Sequence, residues 1–381
     1  MGGNRRLILA GALLGALLLL AGGLLWTGGD DEPQAEEGLR LREVCDGVLP
    51  EREARAVLGE GPLMEDISLA QGGSGFGTSG LSPDIACAVT RRLPEKAWGL
   101  DAGRIEVTVH GATVPGSWRE NWSDLPLPGT YVSAPAPLAG GWTGFFAIPD
   151  PSVSDHKGLA AVFLDCVDDN RALLVTVRGK KDGAYGFDDP AHRTVLARLA
   201  TATARKAAGR WGCKARFGER LRTVPLPVAD DEDVPLEEAD GTCEGVPARG
   251  RTFARAWESN RGGAPQEMCS VGNSGGTPLY ALRAFYGPYA TSARAAWRDW
   301  YSSEETTPGR APSGKLPEGG LWATATCPAP FAGETALFAI EPLDREREKS
   351  TREEQAYERA ALKAFAEASA EHHGCSAPRL P

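Results

Sequence analysis

From Leu7 to Trp26 the chain reads LILAGALLGALLLLAGGLLW, a run without a single charge. A helix of about 20 residues spans about 30 Å, the thickness of a bilayer's hydrocarbon core. Arg5 and Arg6 precede the run, and Asp30, Asp31 and Glu32 follow it. The pattern predicts a membrane-spanning anchor over residues 7–26, with a cytoplasmic tail at 1–6. A cleaved signal peptide is the rival reading, but its apolar stretch usually covers only about 7–15 residues. No cysteine follows the run before Cys45, which disfavours lipid attachment there. Residues 27–40 are acidic, show no apolar face and read as a tether.

Beyond the tether the period changes to two and then to 3.6, and it does so twice. RIEVTVHG and LYALRAFYG alternate as strands; GLAAVFLDC and GLWATATC are apolar strands closed by cysteine; ALLVTVRG and ALFAIEP follow them after a turn. Each series ends in an alanine-rich helical stretch. Leu196, Leu199, Ala200, Ala207 and Trp211 share one face in the first, and Tyr357, Ala361, Phe365 and Ala368 share one in the second. Gly212 and Gly374 stand where a helix end favours a left-handed residue. The openings also match: CDGVLPEREARAVLG from Cys45 and CEGVPARGRTFARAWES from Cys243, each read as a cysteine ahead of a helix.

Between the two series, VPLPVADDEDVPLEEAD (224–240) combines prolines with acidic side chains and loses all apolar period, so it reads as an extended, solvated linker. The expected layout is a first extracytoplasmic domain over 41–222, a linker over 223–240 and a second domain over 241–381. The expected fold class is α+β: an N-terminal transmembrane helix, then two tandem homologous domains. Each domain is an antiparallel sheet flanked by an N-terminal and a C-terminal helix.

Composition sharpens the picture only in places. The 381 residues are 42% hydrophobic and 24% charged, ordinary for globular chains and enough for two cores. The net charge of −10 leaves no basic surplus to displace counterions, which excludes nucleic acid as a partner.

Eight cysteines, four in each series, in an exported chain read as disulfides. Four cysteines permit three pairings per half, and sequence does not choose outright. The interval from Cys166 to Cys213 nearly equals that from Cys327 to Cys375, which suggests a strand stapled to the helix over it. Cys45–Cys87 and Cys243–Cys269 are then the remaining pairs. Zinc and redox sites would bring close Cys-x-x-Cys spacings, and none occurs.

Candidate chemistry is sparse. Both halves carry Ser-x-Arg-x-x-Trp-x-Asp, at Ser117, Arg119, Trp122 and Asp124 and again at Ser292, Arg294, Trp297 and Asp299. A stacking tryptophan beside polar groups suits carbohydrate. A helix cap, a core tryptophan and a surface Arg–Asp contact is the structural reading, and the repeat favours it. Gly75, Gly77 and Gly80 fit G-x-G-x-x-G by letter but lack the strand–helix context and read as a loop. His110 falls on the polar side of its strand and should face solvent; His372 and His373 read as an exposed pair in a last helical turn. The acids 230–233 lack the glycine turn of a calcium loop. Asn121 begins a formal glycosylation sequon, and Gly11 and Gly15 make a weak helix-association motif within the anchor. No hydrolase signature occurs, so no catalytic residue, cofactor or metal site is expected.

With its Arg-Arg start, single apolar segment, CDGVLP…Cys opening and helix ending in HGC, the chain resembles actinobacterial (Streptomyces-like) single-pass, membrane-anchored extracytoplasmic proteins with a duplicated four-cysteine domain. The resemblance implies location and fold. It leaves a non-enzymatic binding or sensing module as the expected function, held in the cell membrane through residues 7–26, with an unidentified protein or cell-wall ligand as partner. A cell-envelope hydrolase and a structural envelope protein are the alternatives.

Overall fold

The computed structural model describes residues 44–71, 84–91, 103–113, 134–148, 158–167, 170–180, 187, 189–226, 232–300, 311–316, 319–331, 335–344 and 350–381. The first half contains α1 (Glu51–Leu58), β1 (Leu63–Gln71), β2 (Asp84–Arg91), β3 (Arg104–Thr113), β4 (Ala136–Pro137), β5 (Gly144–Ala147), β6 (Gly158–Cys166), β7 (Arg171–Lys180) and α2 (Pro190–Arg210). The second contains β8 (Val234–Pro235), β9 (Arg255–Glu258), β10 (Gln266–Gly272), β11 (Pro278–Phe285), α3 (Pro288–Trp300), β12 (Ser313–Lys315), β13 (Leu321–Thr326), β14 (Thr335–Pro342) and α4 (Arg352–His372).

These strands form two seven-stranded sheets, ordered β1-β2-β3-β7-β6-β5-β4 and β12-β13-β14-β11-β10-β9-β8, and among the described residues every ladder between them is antiparallel. Aligned on their cysteines, six strands correspond one to one. β1-β2-β3-β7-β6-β5 matches β9-β10-β11-β14-β13-β12. The seventh strand is added at opposite edges, β4 in one half and β8 in the other. The architecture is thus repeated in structure, with the same staples. Cys45–Cys87 and Cys243–Cys269 tie the opening segment to the second strand. Cys166–Cys213 and Cys327–Cys375 tie the end of a core strand to the residues after the closing helix. Those residues then continue along the strand, through the bridges Cys166–Ala215 and Thr324–Arg379.

Local chemistry explains the helices. α2 begins with Asp189, whose side chain accepts from the Ala191 amide at 2.7 Å, and Pro190 occupies the first helical position. α4 begins with a capping box of Thr351 and Glu354. Gly212 and Gly374, both at φ 65°, turn the chain out of these helices. Ala197, Leu199, Ala200, Ala204 and Ala207 of α2 lie against Val162, Leu164, Val175 and Val177 of the first sheet. α4 buries Tyr357, Ala361, Leu362, Phe365 and Ala366 against the second.

The opposite face of the first sheet is covered as well. Phe145, Ala147, Leu159, Ala161, Phe163, Ala172 and Leu174 join one continuous core with the second half. Phe163 meets Phe331 at 5.2 Å between ring centroids, and Phe145 meets Tyr289 edge-on at 5.5 Å. Two glycines make the approach possible. A Cβ on Gly262 would strike Pro137, and one on Gly287 (φ 54°) would crowd Phe331 and Phe163.

Several expectations need correction. Among the described residues no helix is long and apolar enough to cross a membrane; the tail 1–6, the segment 7–26 and the tether 27–40 lie outside them. The two long helices carry charged residues throughout their length, as helices with one solvated face do. Nor is each sheet flanked by helices at both ends. After Cys243 the chain makes a turn, with Gly250 at φ 57° between Arg249 and Phe253, and goes directly into β9. The left-handed glycine breaks the helical pattern, and Ala256 and Trp257 are buried in the sheet instead. The second half's other helix, α3, follows β11. Cys87 and Cys269, the partners of the two opening cysteines, sit within β2 and β10. The expected linker 223–240 is built into both halves at its ends: Val224 and Leu236 are buried, Val234–Pro235 pair with β9, and Asp233 accepts from Arg255.

Candidate functional site

The motif Ser117, Arg119, Trp122 and Asp124 lies outside the described residues, as do Gly75, Gly77, Gly80, Asn121, Gly11 and Gly15. Its second copy belongs to α3. Trp297 is fully buried, edge-on to Phe285 at 6.3 Å, and Arg294 donates to the Thr335 carbonyl. Ser292 is buried in the second turn of the helix rather than at its cap, because Pro288 already starts the helix. The side chain of Asp299 is not among those described. Among the described residues no group of His, Cys, Asp and Glu is arranged to hold a metal ion.

His373 is not exposed. Its Nε2 lies 3.1 Å from Glu267 Oε1 and its ring sits 3.9 Å from that of Tyr286. Ser369 donates to Glu267 Oε2 at 2.7 Å, and its hydroxyl also meets the Tyr286 hydroxyl at 2.6 Å. Arg261 stands 3.7 Å from Glu267 and 3.8 Å from Glu244. Burial pushes the Tyr286 phenol well up; the Glu267 charge adds to the effect, while Ser369 and Arg261 oppose it. A carboxylate buried to 2% needs such donors around it. The knot pins the end of α4 to β10 and β11, and its members face one another.

A second polar group behaves differently. On β3 the side chains that point away from α2 are Arg104, Glu106, Thr108, His110 and Ala112. Opposite them on β7 stand Lys180, Arg178, Thr176, Leu174 and Ala172, in cross-strand register. His110, expected in solvent, is buried at 6% exposure, because the second half packs on this face. Exposure falls along the strip. Arg104 and Glu106, joined at 3.0 Å, are partly open; Thr108, Thr176 and His110 are buried; Ala112 is fully enclosed.

The middle rung runs Phe145, Ala161, Thr176, Thr108, Ala86, small at its centre and bulky at one end. Tyr289, from the first turn of α3, covers that end by packing on Phe145. Its phenol is pushed upward by burial and drawn back in part by the Arg178 charge. The hydroxyls of Tyr289 and Thr108 are buried and have no hydrogen-bond partner. The strip thus combines hydroxyls, a histidine and charges of both signs under a roof supplied by the other half. Sequence pattern placed Glu106, Thr108 and His110 on one face but took that face for solvent. Nothing in the sequence ties Tyr289 to it.

No family model matches the chain, and no curated protein or solved structure matches it either.

Proposed function

We propose that the protein is a non-enzymatic extracytoplasmic binding module that takes a small polar ligand of the cell envelope on the β3–β7 strip beneath Tyr289. One observation carries the reading: the Tyr289 and Thr108 hydroxyls are buried there without partners. An unsatisfied buried hydroxyl costs about 1–3 kcal/mol, and valine or phenylalanine in its place would avoid that cost. A ligand's polar atoms offset it. Four disulfides suit an oxidising, extracytoplasmic setting, and they clamp the two halves that shape the strip. The membrane association expected of residues 7–26 rests on the sequence of that segment, and fractionation of the full chain tests it.

Thermal shift of the full chain against small molecules extracted from its own envelope tests the binding reading. Binding to the native state raises the midpoint with ligand concentration, and Thr108→Val should remove the rise. A cell-envelope hydrolase is the second reading, favoured by His110 two residues from Thr108 on the same face. Turnover of an envelope ester, lost in His110→Gln, would replace the first reading with the second.

A further inference from the structure

We infer that the exposed ridge formed by α2 and residues 214–222 is a docking surface for a bilayer carrying anionic headgroups, which lays the first half of the protein against the membrane. The inference is independent of the β3–β7 strip and draws on the membrane association expected of residues 7–26.

Between Arg198 and Arg222 the chain carries eight lysines and arginines and one acid, Glu219, a net of +7 within a molecule of −10. The fold keeps these charges together. After Gly212 the chain turns back along α2, and three arginines of the helix donate to it. Arg205 reaches the Gly218 carbonyl at 2.6 Å, Arg198 that of Leu221 at 2.7 Å and Arg193 that of Val224 at 3.3 Å. Arg198 and Arg205 thus meet neutral carbonyls and keep their charge uncompensated, and Lys206 does the same at the Leu49 carbonyl, 2.9 Å away. Two cations of the ridge face carboxylates: Arg210 pairs with Asp46 at 3.2 Å, and Arg216 interacts with Asp165. Lys214, Arg220 and Arg222 are exposed and hold no ion pair among the described residues. Cations gathered in this way attract an anionic surface even when the whole molecule is acidic.

Apolar side chains decide between a bilayer and a soluble polyanion. Of the six large hydrophobic side chains that are exposed among the described residues, Val167, Phe217 and Leu226 border the ridge. The Val167 amide donates to the Lys214 carbonyl at 2.8 Å, and the Phe217 ring lies 5.7 Å from the Arg205 guanidinium. Against a polyanion in water these side chains gain nothing. At a bilayer they enter the interface while the cations meet headgroups. Position agrees with this. Asp46 and Leu49 are held by Arg210 and Lys206, so the polypeptide arriving from residues 7–26 joins the first half beside the ridge. Residues 27–43 connect the two and reach at most about 60 Å when fully extended.

The test uses the full chain reconstituted into vesicles of phosphatidylcholine alone and of equal parts phosphatidylcholine and phosphatidylglycerol. Flotation reports the membrane association of residues 7–26. An impermeant amine-acylating reagent, read peptide by peptide in a mass spectrometer, reports the ridge. Lys214 should react at least about fivefold more slowly on the anionic vesicles, the factor that one cation near such a surface contributes. High salt should restore its rate. Lys315, exposed in the second half, should react alike on both. Arg220→Gln with Arg222→Gln should remove most of the slowing at an unchanged thermal midpoint. Equal Lys214 rates on the two vesicles, in a chain that floats with both, overturn the ridge and leave the membrane association standing. Slowing that survives in the double variant overturns the ridge as well. Protection of Lys214 by soluble polyphosphate, without protection by anionic lipid, makes the partner a soluble polyanion and overturns the bilayer. A chain that floats only with anionic vesicles supports the ridge and removes the role of residues 7–26; one that floats with neither defeats both.

Discussion

Tyr286, Tyr289 and Tyr357 carry phenols that burial pushes upward, Tyr357 with help from its neighbour Tyr280. A group whose folded value is raised stabilises the fold below its unfolded value and loses that contribution as pH climbs through the folded one. These three of the seven tyrosines should therefore resist ionisation above pH ~10. In a spectrophotometric titration their tyrosinate absorbance should appear only together with loss of native circular dichroism; independent ionisation in the folded state would contradict their burial. Asp165 presents the same sign at a carboxyl. Burial raises it above 3.8, offset in part by Arg216. The fold favours its protonated form, so the stabilisation present at low pH is lost as pH rises. Asp165→Asn should raise the thermal midpoint at pH 7, and the gain should shrink as pH falls toward 3.8 and below. Single residues were also where sequence reading failed most. His110 and His373 look like surface histidines by position, and both are turned inward by packing from segments remote in the chain, the second half in one case and β10 and β11 in the other.

Elements were far more legible, for a physical reason: strand and helix periods are local. β3, β6, β7, β11, β13 and β14 all fall on the alternating or apolar runs, and α2 and α4 end at the two glycines that the pattern marks. Where the period was short the reading failed. TFARAWE fits a helical face, yet its last four residues are enough for β9 once Gly250 has turned the chain. α3 was visible only as the spacing of Ser292, Arg294 and Trp297, without its true start at Pro288. The capping box of α4 gives a direct test at this scale. Thr351→Ala removes the acceptor for the Glu354 amide and should cost about 1 kcal/mol. Urea unfolding should show a lower midpoint at an unchanged slope.

At the scale of the molecule, the covered back of the first sheet matters most. Because Phe145, Leu159, Phe163 and Leu174 belong to the core of the second half, neither half is closed alone. Calorimetry should record one unfolding transition, and two separate transitions would show that the shared core contributes little. Phe163→Ala should cost about 3–5 kcal/mol by opening a cavity against Phe331, and it should destabilise both halves together. This joint was beyond the reach of the sequence, since a sheet face covered by another domain and one facing water can carry the same mixture of residues. The β3–β7 strip, with Thr108 and Arg178 on one side of the joint and Tyr289 on the other, was missed for that reason.

The sulfur connectivity bears on how the chain is made. Its eight cysteines pair strictly in order, each with the next one along: Cys45 with Cys87, Cys166 with Cys213, Cys243 with Cys269, Cys327 with Cys375. A polypeptide emerging amino end first into an oxidant delivers every thiol's proper mate before any competitor arrives. Simple vectorial oxidation then suffices, and the protein should mature in cells that lack a disulfide isomerase.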